Sequence, residues 1–219
     1  MRLYLKISKS RAVLPFSYQH LLTGVIHKWL GKDNAIHGKS AQYSFSWIQN
    51  AQASQSGVTL TDRSYFFISA YDVSIIKQLI KGILADPTMF LDISVEDVQM
   101  TPVPEFNSQH VFAMASPVLL KVKDGNTTYH VTLKDSNFES VLTQNLKNKL
   151  ERHCLSSEGV AIKLDPSASY KKTKLVTYNG IQNKTSFAPI IIEGTPKQIA
   201  FAWCLGLGNS TGIGFGALK

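Results

Sequence analysis

The order in which the hydrophobic periodicity changes along the first hundred residues is the feature that most constrains the fold. Apolar residues recur at helical spacing after Ser17, which is placed to cap the helix, and again over 73–84. Gly31 is placed to end the first of these helices. Strand-like segments lie around the two helices, at 2–8, 42–48, 64–71 and 90–101, the last of which is one strand or a pair of strands. The resulting order, β-α-β-β-α-β, predicts a ferredoxin-like α+β unit.

The second half of the chain partly repeats this order of elements. The two prolines of Thr101-Pro-Val-Pro104 favour an extended linker. Beyond it, strand patterns occur at 110–115, 118–122, 127–133, 160–164, 174–178 and 190–192, and helical patterns at 137–153 and 195–205. We therefore predict an α+β chain of two tandem ferredoxin-like (RRM-like, βαββαβ) domains, 1–104 and 105–219, the second ending in a glycine-rich loop.

Charge is distributed unevenly along the chain, whose formal net charge is +8 and whose pI is about 9.4. Residues 1–40 carry seven basic side chains and one acidic one, residues 41–120 carry three and seven, and residues 121–219 carry thirteen and seven. If the two basic ends meet in space, they form one positive face, which is typical of a protein that binds a phosphate-bearing partner. Ordinary solubility charge is the alternative.

The sequence does not indicate a membrane, disulfide-bonded or metal-binding protein. The first residues alternate apolar with basic side chains, which favours a strand over a signal peptide. No run approaches the roughly 20 apolar residues of a membrane span. Cys154 and Cys204 are far apart and have no second Cys or His at metal-ligand spacing. We expect a cytoplasmic protein that uses no metal and no other cofactor.

The most specific segment is the glycine-rich tail, residues 206–216, in which five of eleven residues are glycine. Such a density of glycine permits positive φ angles and lets a ligand approach backbone N–H groups closely, which suits a loop that cradles a phosphodiester. The Gly-Lys-Ser/Thr sequence of a nucleotide-binding P-loop is missing from it. The spacing alone is equally compatible with a tight C-terminal hairpin.

The tail ends in Gly214-Phe-Gly216, and shorter matches precede it: Pro15, Gly24-Val-Ile-His27, Ile36-His-Gly-Lys39, Tyr43-Ser-Phe-Ser46 and Ser116-Pro117-Val118. In this order of motifs the chain resembles the repeat-RNA endoribonucleases of CRISPR systems, members of the repeat-associated RNA-binding superfamily. The resemblance covers nearly the whole chain, and the glycine-rich tail is its distinctive part. It implies two ferredoxin-like halves and cleavage of CRISPR precursor RNA within its repeats.

The activity implied by the resemblance is metal-independent, because RNA supplies its own nucleophile. The 2′-hydroxyl beside the scissile phosphate attacks it, leaving a 2′,3′-cyclic phosphate and a 5′-hydroxyl. His37 aligns with the family's catalytic histidine, and Lys39 falls where a phosphate-contacting lysine is expected. His27 stands where some members have a catalytic tyrosine. We interpret His27 as base, His37 as acid and Lys39 as charge stabiliser, with the base and acid roles interchangeable.

A second group of residues combines charge with aromatic rings. Lys171, Lys172 and Lys174 lie between two tyrosines, a mixture that suits RNA, although a solvated basic hairpin is the alternative. The basic end of the predicted helix 137–153 would extend this surface. The expected RNA contacts of the tail are Gly206, Gly208, Asn209, Ser210, Gly212, Gly214 and Gly216. The expected partner is CRISPR repeat RNA. Three alternatives stay open. The protein could be a non-catalytic RNA-binding subunit of a guide-RNA complex, the enzyme could associate with such subunits, or it could form a homodimer.

Overall fold

The structure of the protein is a computed structural model that describes residues 1–10, 12–31 and 42–219. The strands are β1 (Arg2–Ile7), β2 (Tyr43–Phe45), β3 (Gln52–Ala53), β4 (Val58–Thr59), β5 (Tyr65–Ala70), β6 (Val95–Thr101), β7 (Gln109–Phe112), β8 (Leu120–Asp124), β9 (Thr127–Val131), β10 (Ala161–Leu164), β11 (Lys172–Tyr178), β12 (Ile181–Phe187) and β13 (Ile190–Glu193). The helices are α1 (Gln19–Leu30), α2 (Val73–Ala85), α3 (Phe138–Arg152), α4 (Pro196–Leu205) and a 3₁₀ helix (Thr211–Ile213).

The first half of the chain is built on an antiparallel sheet with the strand order β2-β5-β1-β6. Alternation along β1 places Leu3, Leu5 and Ile7 on the face that shares a core with α1 and α2. The indole of Trp29 in α1 stacks on the ring of Phe66 in β5, with 6.5 Å between the ring centroids. The two predicted helices and the strands predicted at 2–8 and 64–71 are confirmed. The strands predicted at 42–48 and 90–101 are shorter than predicted, and the short hairpin β3–β4 was not predicted.

The two helices of the first half approach closely at a glycine of α2. A Cβ atom on Gly82 would lie 2.2 Å from the carbonyl oxygen of Trp29, so a larger residue would push the helices apart. Gly31 ends α1 with a φ of 80°, as predicted. The predicted cap at Ser17 is wrong, because Tyr18 occupies the N-cap position and makes no side-chain capping bond. The Tyr18 hydroxyl instead accepts the backbone N–H of Ile48 at 3.0 Å.

The second half contains an antiparallel sheet with the order β10-β13-β7, and α3 and α4 share its core. Leu218 forms an isolated bridge with Met114, just beyond β7. Strands β8 and β9 pair as a hairpin whose turn lies between the strands predicted at 118–122 and 127–133. The strand predicted over 110–115 is shorter and ends at Phe112, and the one predicted over 118–122 is shifted by two residues to begin at Leu120. Strand β12 was not predicted, because most of its side chains are polar.

Most buried apolar residues belong to two clusters, one drawn from residues 3–93 and the other from residues 106–218. Arg2 lies where the halves meet and is only 1% exposed. Its guanidinium carbon is 3.8 Å from the ring centroids of both Phe67, in the first half, and Trp203, in the second. This buried cation therefore joins the halves. Within the three described ranges, no helix is long and apolar enough to cross a membrane.

Candidate functional site

The glycine-rich tail leaves the end of α4 and folds back on itself between the two halves. The N–H of Leu207 donates to the carbonyl of Gly216 at 2.8 Å, which closes the loop. The N–H of Asn209 donates to Leu119 at 2.7 Å, and that of Gly216 donates to Pro117 at 2.8 Å. The tail is thus an integral part of the junction between the halves and not a separate hairpin.

Close backbone contacts explain three of the tail's glycines. A Cβ atom on Gly216 would lie 1.8 Å from the carbonyl oxygen of Leu207, and one on Gly208 would lie 2.4 Å from that of Leu119. A Cβ atom on Gly206 would lie 2.6 Å from the carbonyl oxygen of Gly216. All three have φ near +70°, where glycine is favoured. Their first role is therefore packing within the protein, and the RNA contact expected of them stays a prediction.

The 3₁₀ helix of the tail is fastened to the first half by side chains around β2. The Thr211 hydroxyl donates to the carbonyl of Tyr43 at 3.1 Å, and the Tyr43 hydroxyl donates to the carbonyl of Gly212 at 3.2 Å. The indole N–H of Trp47 donates to the carbonyl of Gly214 at 2.7 Å. Burial raises the pKa of Tyr43, so its hydroxyl stays a neutral donor. Both halves therefore hold the tail in one conformation.

A cleft of about 400 Å³ lies between the end of α3 and the tail, and we call it the α3 cleft. Its lining residues are Lys121, Asn145, Asn148, Lys149, Arg152, His153, Leu205, Gly208, Asn209, Ser210 and Thr211. Ser210 is exposed and Asn209 is half-buried, so these two predicted contact residues are the accessible part of the tail. The described lining includes no carboxylate. The basic end of α3 therefore faces the tail across a cleft that favours anions.

Lys149 is the most perturbed group of this cleft. Its ammonium donates to the carbonyl of Gly206 at 3.0 Å. Burial, with a smaller contribution from Arg152, lowers the pKa of Lys149 to about 7. Burial also lowers the pKa of His153, and Lys149 adds to the effect. The side-chain oxygen of Asn145 is buried and has no hydrogen-bond partner among the described residues.

The predicted lysine cluster lies on and just before β11. The ammonium of Lys174 is 4.9 Å from the ring centroid of Phe187 and 5.6 Å from that of Trp47. Burial, and secondarily Lys172, lowers the pKa of Lys174. Lys171 and Lys172 are exposed to solvent. The lysine cluster thus contacts the first half at Trp47, the residue whose indole also holds the tail.

Of the three predicted catalytic residues, His27 lies in the part of the chain that the structure describes. It occupies the last turn of α1 and is half-buried. The helix α1 contacts the 3₁₀ helix of the tail, so His27 belongs to an element that borders the tail. His37 and Lys39 lie outside the described residues. That the three side chains meet stays a prediction.

Comparison with solved structures defines the class of protein. A structure from Pyrococcus furiosus described as "Characterization of a Cas6-related gene" superposes with a TM-score of 0.86 at 20% identity, covering 100% of this chain and 97% of the other. A second structure, described as "An RAMP protein binding different RNA substrates", also gives a TM-score of 0.86 at 20% identity, with coverages of 100% and 98%. The chain therefore has the α+β fold, with antiparallel sheets, of Cas6-related proteins.

Sequence comparison identifies the family. The family model described as "CRISPR associated protein Cas6, C-terminal" matches residues 101–219, more than half of the chain. The protein "CRISPR-associated endoribonuclease Cas6 1" of Methanocaldococcus jannaschii is 23% identical over 235 residues, which cover 99% of this chain and 91% of that protein. The chain belongs to the Cas6 family.

Sequence reasoning did not find the α3 cleft. Lys121 and Lys149 come from separate elements of the second half, and the tail that completes the cleft follows more than fifty residues later. Lys149 and Arg152 were visible as the basic end of a helix. The sequence held no signal that this end points at the glycine-rich tail. His153, directly after α3, also lines the cleft.

Proposed function

We propose that the protein is an endoribonuclease that cuts CRISPR precursor RNA within its repeats, without a metal ion, to give guide RNAs. Membership of the Cas6 family supports this function. The observation that carries the proposal is the glycine-rich tail, which both halves hold in place next to α1 and next to a cationic cleft. This is the position in which backbone groups and lysines would grip a strand beside His27.

The architecture that we propose is a pair of ferredoxin-like domains, residues 1–104 and 105–219. In the first, the order β2-β5-β1-β6 is that of a β-α-β-β-α-β unit with the small hairpin β3–β4 inserted. In the second, β7, β10 and β13 correspond to the first three strands, and the bridge between Leu218 and Met114 stands where the fourth would lie. The tail is then the segment that leads into this last position.

The proposed reaction is an internal transesterification. His27 accepts the proton of the 2′-hydroxyl, and the resulting oxygen attacks the adjacent phosphorus. The bond from phosphorus to the 5′-oxygen breaks as His37 protonates that oxygen, while Lys39 stabilises the additional negative charge. The products carry a 2′,3′-cyclic phosphate and a 5′-hydroxyl. Histidine suits both proton transfers because its unperturbed pKa lies near neutrality. The two histidines can exchange these roles without changing the products.

The direct test is a cleavage assay on labelled repeat RNA in the presence of a chelator. We expect the wild-type protein to cut this RNA and to leave intact an otherwise identical RNA with a 2′-deoxy nucleotide before the cut. His27→Ala and His37→Ala should each slow cleavage by roughly 10²- to 10⁴-fold, the usual contribution of one general acid or base.

The matched control is His20→Ala. His20 is also on α1, near the start of the helix, where its ring lies 2.7 Å from the carbonyl of Ser17, and the proposed reaction gives it no role. This variant should cut at close to the wild-type rate. Loss of cleavage with the chelator would reject the metal-free mechanism. Binding without any cleavage would indicate instead a non-catalytic RNA-binding subunit.

A further inference from the structure

No carboxylate is among the described residues that line the α3 cleft with its cations. Lys121, Lys149 and Arg152 line the same cavity, and none of them forms a salt bridge among the described residues. Like charges that share a partly enclosed cavity repel one another, because the cavity screens them less than bulk water does. An anion in the cleft would relieve this repulsion.

Neutral donors complete the lining of the cleft. Asn145 and Asn148 contribute side-chain amides from α3, and Ser210 is exposed at the rim. The side-chain oxygen of Asn209 accepts the backbone N–H of Lys121 at 2.8 Å, which fixes this part of the tail against β8. Cations surrounded by amides and a hydroxyl suit a phosphate oxygen, which accepts several hydrogen bonds at once.

We propose that the α3 cleft binds one backbone phosphate of the RNA, with Lys149 and Arg152 as its charged ligands and the exposed part of the tail at its rim. The inference rests on the proposed function in taking RNA as the ligand. It adds a particular subsite for that ligand, formed by the second half of the chain and the tail.

Phosphate binding at this subsite is coupled to protonation of Lys149. The basic groups that share the cavity with Lys149 are Arg152 from α3, His153 directly after α3, and Lys121 from β8. Burial, and secondarily the charge of Arg152, lowers the pKa of Lys149 to about 7. A bound phosphate reverses the local field and raises this pKa. The protein therefore takes up a proton when RNA binds above neutral pH.

Isothermal titration calorimetry measures this uptake directly. Repeat RNA carrying a 2′-deoxy nucleotide before the cut is titrated at pH 8 in buffers of different ionisation enthalpy. At that pH a lysine with a pKa of about 7 is about nine-tenths neutral, so the wild-type protein should take up nearly one proton. Lys149→Met keeps most of the aliphatic chain and should take up almost none. Equal uptake by the two proteins would overturn the proposal.

A double-mutant cycle identifies the phosphate. Single methylphosphonate linkages, which are neutral, are placed along the same uncleavable RNA. A methylphosphonate at one position should weaken binding to the wild-type protein by roughly 10- to 100-fold, the contribution of one charged hydrogen-bonded contact. The same methylphosphonate should not weaken the binding of the Lys149→Met variant any further. Lys147→Ala is the matched control, since Lys147 lies on α3 but does not line the cleft. It should show the wild-type pattern.

The possible outcomes separate this inference from the proposed function. If every methylphosphonate weakens both proteins equally, the subsite is wrong even where cleavage proceeds. If one position shows the coupling but the wild-type protein cuts no RNA, the subsite is supported and the proposed cleavage is wrong. If the wild-type protein binds no repeat RNA, both fail.

Discussion

Replacing Gly216 by alanine tests whether the glycine-rich tail is first of all a packed element of the junction. Gly216 has a φ of +68°, and a Cβ atom there would lie 1.8 Å from the carbonyl oxygen of Leu207. Leu207 is held in place by the hydrogen bond that its own N–H donates to the carbonyl of Gly216, which closes the loop. The substitution therefore meets rigid backbone and not a flexible side chain.

The magnitude has two parts. A positive φ costs an L-amino acid about 1–2 kcal/mol relative to glycine. Forcing an extra carbon into closely packed surroundings adds about 1–3 kcal/mol. Gly180→Ala separates them, because Gly180 has a φ of +78° but no heavy atom within 4 Å of its would-be Cβ. Gly180→Ala should therefore lose only the stability that a positive φ costs, without the packing penalty.

Thermal unfolding followed by circular dichroism provides the comparison. In a chain of this size, 1 kcal/mol corresponds to roughly 2–4 °C in Tm. Gly216→Ala should therefore melt about 2–12 °C below Gly180→Ala, from the packing part of about 1–3 kcal/mol. Equal melting temperatures would refute the close packing of the tail against Leu207.

Three further predictions concern stability. Arg2→Ala should lower the free energy of unfolding, measured by chemical denaturation, by about 3–5 kcal/mol. The substitution removes a cation from between two rings, and it removes the donor that the carbonyl of Leu218 accepts from the guanidinium at 2.7 Å. Lys6→Ala, which removes an exposed ion pair with Glu96 at 3.0 Å, is the control and should change stability little; equal losses would contradict the role of Arg2. Hydrogen bonds from Thr88 and Lys28 lower the pKa of Asp86 to about 2, so its stabilising contribution is complete above pH about 4 and is lost as the pH falls towards 2. The difference in urea midpoint between wild type and Asp86→Asn should narrow over that range, and a constant difference would contradict this assignment. Thr195→Ala removes the hydroxyl that accepts the N–H of Gln198 in the capping box and should lower the free energy of unfolding by about 0.5–2 kcal/mol, whereas no change in Tm would show that the box does not stabilise α4.

The sequence predicted best those elements whose periodicity agrees with their burial. Helix α2 buries Ile75, Ile76, Leu79 and Ile83 on one stripe and was predicted over 73–84, within one residue of its observed end. Strand β12 was missed because polar residues, including Asn183, Thr185 and Ser186, are buried in it. A signal for its hairpin was present in Asn179-Gly180, where both residues have positive φ, the pattern of a two-residue turn.

The candidate site was predictable in part for a similar reason. Glycine density is a local property, so the tail could be located from the sequence, whereas its burial depends on carbonyls of residues such as Leu119, far away along the chain. The α3 cleft depends on the same long-range packing, which brings Lys121 and Lys149 to the tail. Local patterns carry no information about such contacts.

The central claim is that the substrate's own 2′-hydroxyl cuts the RNA, and the oxygen at the product phosphate tests it most directly. Cleavage is run with a chelator in water enriched in ¹⁸O, and the short 5′ product is analysed by mass spectrometry at early times. We predict a 2′,3′-cyclic phosphate that carries no ¹⁸O, because internal attack brings no solvent oxygen to phosphorus. A linear phosphate that carries ¹⁸O from the first turnover would show that water is the nucleophile and would contradict the account.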